Sequence, residues 1–110
     1  MSDTERVLAR AKLVRALRQM LDRELSFIEG SRIVSGLVEK AGYDPLSEPF
    51  VRFVAIDSET DAIPVGKVRD LWHQDAVAKH AKGWTESEAW ARRLGEHACR
   101  EALNLLQSAA

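Results

Sequence analysis

Three carboxylates on alternate positions, Asp57, Glu59 and Asp61, are the most suggestive chemistry in the chain. The string D-S-E-T-D-A opens like a calcium loop, in which alternating oxygens surround one cation. Such a loop also needs glycine at its sixth position and a bidentate carboxylate at its twelfth. Ala62 and Val68 stand there. The string therefore reads as an acidic turn, with Ser58 and Thr60 bonding to nearby backbone. Its setting sharpens the reading. Residues 41–66 set Arg52 against Asp44, Glu48, Asp57, Glu59 and Asp61, a local charge of −4, whereas the first 40 residues sum to +2. Such an acidic middle either pairs internally with arginines such as Arg32 and Arg69 or steers a basic partner.

The remaining reactive residue types lack the spacing that chemistry requires. His73, His80 and His97 form no H-x-x-x-H pair and no H-E-x-x-H. Cys99 follows His97 by two residues, on another face of the same helix, so a thiol–imidazole pair is disfavoured. A lone buried cysteine acting as a small hydrophobe is the expectation. One cysteine also excludes an intrachain disulfide and a multi-cysteine zinc site. There is no G-x-S-x-G, no phosphate-binding glycine loop and no dinucleotide fingerprint. No catalytic residue, metal ligand or cofactor is assigned. The basic run Arg6, Arg10, Lys12, Arg15 and Arg18 reads as a solvated helix face. No aromatic residues interleave it, and 16 basic residues balance 17 acidic ones, which argues against nucleic acid. Trp72, Trp84 and Trp90 are expected to be packing anchors, with an exposed interface anchor as the alternative.

The elements that must position these residues are helices. The 110 residues make one domain, 45% hydrophobic and 30% charged, ordinary for a folded protein. Residues 1–29 lack proline, and their apolar residues step by three and four, which predicts a long helix over 4–28 capped by Asp3 or Thr4. A break near Ser26–Ser31 precedes a second helix over 31–41, closed by Gly42 as a left-handed cap. Residues 50–56 are ambiguous between strand and helix. A strand would have no partner elsewhere, so a helix over 48–56 is predicted, with Ser47 as cap and Pro49 in the first turn. Trp72 and Trp84 flank and clamp a short helix over 74–81 that ends at Gly83. Thr85 and Glu88 form a T-x-x-E capping box for a last helix over 86–107. The result is an all-α domain of four to five helices, with the two long end helices packed antiparallel.

The segment from Glu29 to Trp72 resembles a family of small bacterial proteins of unknown function. The resemblance is carried by E-G-S-R (Glu29–Arg32), F-V-A-I-D-S-E-T-D-A-I-P-V-G (Phe53–Gly66) and R-D-L-W (Arg69–Trp72). It implies a bacterial cytosolic setting, and it groups Glu29, Arg32, Asp57, Glu59, Asp61, Arg69 and Trp72 as one partner-binding constellation. Carboxylates on a turn, held by arginines and a tryptophan, would form a latch or a recognition surface. A cytoplasmic location also follows from the charged N-terminus, and no membrane-spanning run is present.

Three function classes follow. The leading one is a non-catalytic binding or regulatory protein, in its most concrete version immunity-type, whose acidic central turn recognises a basic surface on a protein partner. The second is a structural homodimer through the long N-terminal helix, favoured by the heptad spacing of Val7, Val14, Leu21 and Ile28. The third is a metal-dependent enzyme using Glu29, Asp57, Glu59 and His73.

Overall fold

The computed structural model describes residues 3–108. Its elements are α1 (Asp3–Leu21), α2 (Phe27–Leu37), α3 (Phe50–Glu59), α4 (Lys67–Asp70) and α5 (Gln74–Ser108), with no strand among the described residues. The all-α expectation holds, and residues 50–59 are helical. No described helix is long and apolar enough to cross a membrane.

The first prediction to fail is the long helix over 4–28. It ends at Leu21, because Arg23 takes a left-handed φ of 62°. The Glu24 N–H donates to the Gln19 carbonyl and the Arg23 N–H to the Met20 carbonyl, the paired bonds of a Schellman stop. Glycine usually occupies that position. Arginine here leaves no sequence mark of the break. The break thus falls at 22–26 rather than at Ser26–Ser31, and α2 starts before Gly30. Ser26 caps α2, its Oγ accepting from the Glu29 N–H at 3.0 Å. Gly30 lies inside α2 because α1 crosses it there. A Cβ at Gly30 would run into Met20 Cγ and Sδ. The heptad stripe is broken as well: Ile28 belongs to α2 and is buried, while Val14 and Leu21 pack on the protein's own core. Asp3 and Thr4, the expected caps of α1, both lie inside the helix instead.

After α2 the chain turns through Gly42, at φ 90°, with the same paired bonds as at Arg23. The expected glycine cap is therefore present. Ser47 does not cap α3. Its hydroxyl donates to the Asp44 carbonyl at 2.7 Å, and Pro49 occupies the cap position.

The second large correction is α5. The short helix over 74–81 and the helix over 86–107 are one helix of 35 residues. At 1.5 Å per residue it is about 50 Å long, comparable with the molecule's longest dimension of 47 Å. Gly83 sits inside it. Thr85 Oγ1 donates to the Ala81 carbonyl one turn back, so it caps nothing. His73 stands just before the helix, its Nδ1 accepting from the Asp75 N–H at 3.2 Å.

The core lies where α1, α2, α3 and the second half of α5 meet. Leu13, Leu17 and Met20 of α1 interlock with Ile28 and Val34 of α2 and with Phe50, Phe53 and Ile56 of α3. Each large side chain buried there contributes about 1.5–3 kcal/mol. From α5 the core takes small residues, Ala91, Gly95, Ala98, Cys99 and Ala102, which let the long helix lie close.

Candidate binding surface at the acidic turn

Residues 60–73 connect α3 to α5, and two arginines fix this connection by its main chain. Arg32, on the second turn of α2, donates through Nη2 to the carbonyls of Thr60 and Ile63, the latter at 2.6 Å. Arg69, on α4, donates through Nε to the Pro64 carbonyl at 2.9 Å. Thr60 is itself buried, its hydroxyl donating to the Ile56 carbonyl at 2.6 Å. Arg32 thereby caps the C-terminal end of α3, where free carbonyls and the helix dipole both favour a cation.

The sequence-based reading expected arginines to hold carboxylates, and the geometry differs. Arg32 Nε stands 3.8 Å from Asp57 Oδ1, a Coulombic contact without a hydrogen bond, and finds no other partner. Glu59 and Asp61 are exposed and form no ion pair among the described residues. Asp57 and Glu59 lie in the last turn of α3 and Asp61 just beyond it, at the negative end of the helix dipole. An exposed carboxylate there costs a few tenths of a kcal/mol. The turn is thus built to display negative charge rather than to neutralise it.

Apolar groups stand beside this charge. Val68 is 58% exposed and Leu71 85%. A depression of about 230 Å³ whose lining includes Arg32, Asp61, Val68 and Trp72 joins the two features. Trp72 completes an aromatic clasp on the first turns of α5. Its ring meets Trp84 edge-on at 5.6 Å and His80 at 6.2 Å, while His80 and Trp84 stack at 5.6 Å. The Arg69 guanidinium lies 4.7 Å from the Trp84 ring centroid. The expected clamp by Trp72 and Trp84 exists, although it grips the beginning of a long helix. Trp90 is half-buried against the core.

The other expected site residues separate. Glu29 and Arg69 line a groove of about 580 Å³ between the start of α2, Gly66 and the first half of α5. Gly66, at φ 57°, brings the backbone against Glu29, and a Cβ there would lie 2.7 Å from Glu29 Oε1. The sequence offered Trp84 only as an anchor and Glu88 only as a capping residue, and it did not single out Arg92, yet all three line the groove. Glu88 does not close a capping box on its own helix. It reaches 60 residues away, accepting from the Phe27 N–H at 2.7 Å and the Ile28 N–H at 3.2 Å. It therefore caps α2 jointly with Ser26. The S-F-I-E string at 26–29 is the sequence mark of that helix start, and the spacing of Val77, Ala81, Trp84, Glu88 and Arg92 marks the groove face of α5.

The reactive side chains are structurally engaged. Cys99 is buried, and desolvation pushes its thiol up to about 12. His97 Nε2 lies 2.7 Å from Glu101 Oε1 one turn on. Among the described residues no three His, Cys, Asp or Glu side chains gather as a metal would require. Comparison with family models, curated proteins and solved structures finds no match.

Proposed function

We propose that this protein is a non-catalytic binding protein, regulatory or immunity-type, that recognises a basic surface on a protein partner through Glu59, Asp61 and the flanking Asp57. One observation carries the reading. Arg32 and Arg69 satisfy main-chain carbonyls of the turn, and Glu59 and Asp61 stay exposed and unpaired among the described residues, while Asp57 has only the 3.8 Å contact with Arg32. Charges set at the unfavourable end of a helix suit function better than stability. Val68, Leu71 and Trp72 supply the apolar contact that a charged rim alone lacks. The bacterial cytosol is the setting for this role.

The test is the pair Glu59→Lys and Asp61→Lys in one chain. A pull-down from the host cell should lose its partner while the thermal melt stays at or slightly above the wild-type value. Capture by wild type should weaken as salt rises. Undiminished capture by the charge-reversed chain overturns the reading. A homodimer through α1 is the second reading, favoured by the adjacent exposed residues Val7 and Leu8. It requires a melting temperature that rises with protein concentration.

A further inference from the structure

The groove under the aromatic clasp has the make-up of a small-molecule site independent of the acidic turn. Its volume of about 580 Å³ lies within the range of about 300–1,000 Å³ usual for ligand pockets. Its walls are apolar: Ile28, Val65, Val77, Ala81 and the Trp84 ring. Four charged side chains converge on them, Glu29, Arg69, Glu88 and Arg92. They are not equivalent. Glu88 is committed to the amides of Phe27 and Ile28, facing the positive end of the α2 dipole. Arg69 is held from behind. Its Nε bonds the Pro64 carbonyl and its Cζ lies over the Trp84 ring, so the group is held in place without a carboxylate partner among the described residues. Arg92 lies 6.0 Å from the Phe27 ring centroid and also makes no ion pair among the described residues.

Neither guanidinium is ion-paired among the described residues, and of the two carboxylates that share the groove Glu88 is already engaged with the α2 amides, which leaves the arginines open to an added anion. The paired N–H fork of arginine suits a carboxylate. Glu29 limits the ligand's charge. Its carboxylate lies against Gly66 in the same wall, so a second negative group on the ligand would meet like charge. We propose that the groove between α2, α4 and the first half of α5 binds a small monocarboxylate with an apolar body. Its carboxylate lies on Arg69 and Arg92, and its body on Ile28, Val65, Val77 and Ala81.

Calorimetric titration of the full chain with 2-naphthylacetate tests this, with 2-naphthylacetamide as the neutral isostere and homophthalate as a dianion. The expected result is saturable one-to-one binding of the monocarboxylate and at least tenfold weaker binding of the amide. Arg92→Gln should weaken binding about tenfold, the effect of losing one charge-assisted contact. Arg69→Gln should do the same, and because it also releases Pro64, Arg92→Gln is the cleaner variant. Glu29→Gln should admit homophthalate, which the wild type rejects. No saturable binding of the monocarboxylate at millimolar concentration, equal binding of acid and amide, or binding indifferent to Arg92→Gln would each overturn the proposal. None of these outcomes touches the acidic-turn reading, which the charge-reversed chain decides separately.

Discussion

The two halves of α5 are made from one continuous backbone and do opposite work. From Ala91 to Leu106 the helix presents small residues to the core, and six of its positions are buried. From Gln74 to Trp90 none is buried, and apart from Trp90, which packs on the core's border, this half is held by edges: a ring clasp, one carboxylate and a guanidinium. The packed half is fixed by volume, the projecting half by a few polar and aromatic contacts. Stability resides in the first. Both surfaces proposed for binding border the second, where fewer buried contacts make local opening easier.

Four measurements would break or sharpen that contrast. The largest effect is expected from pH. The Cys99 thiol is pushed up to about 12 by burial, against an ordinary value of 9.0. The folded state therefore favours the neutral thiol. Its contribution is intact below pH 9 and is lost as pH rises from 9 through about 12, up to about 4 kcal/mol. Urea unfolding of wild type and Cys99→Ala over that window should show a steeper fall for wild type, and parallel curves would contradict a desolvated thiol. Next comes Gly95→Leu. A Cβ there already stands 3.0 Å from Phe27 Cδ1 and 3.2 Å from Ile56 Cδ1. Overpacking should cost about 3 kcal/mol in chemical denaturation.

Glu88→Ala tests the joint between the halves. Removing the carboxylate that caps two amides should cost about 1–2 kcal/mol. Hydrogen exchange should also accelerate in residues 74–86 more than in residues 95–106, and uniform acceleration would deny the projecting half its separate character. The smallest change is Gly83→Ala. Nothing lies within 4 Å of a Cβ there, so alanine should add up to about 1 kcal/mol through helix propensity alone. A melt lowered by this substitution would mean that the projecting half is packed against something.

How much of this was legible depends on which atoms carry the information. Helical periodicity and the lack of a partner strand fix the class and the helical state of residues 50–59. Gly42 announces its own turn because only glycine enters that conformation cheaply. The stop after α1 uses the same bonds at Arg23, where side-chain type says nothing. Gly83 and the T-x-x-E string read as a stop and a start, yet the helix runs through both. The tertiary partner of Glu88 lies 60 residues away, beyond the reach of any local pattern. At the site, the sequence identifies the acids and the arginines. It does not show that the arginines bind carbonyls, because main-chain acceptors are the same at every residue. The groove needs the continuity of α5, so it became visible only in three dimensions.

The bonds from Arg32 and Arg69 to Thr60, Ile63 and Pro64 have a consequence for evolution. A loop anchored through peptide oxygens keeps its shape whichever side chains decorate its outer positions. Positions 59 and 61 can therefore change sign or size without unfastening the scaffold. New specificities could arise there by single codon changes, on a mount that stays put.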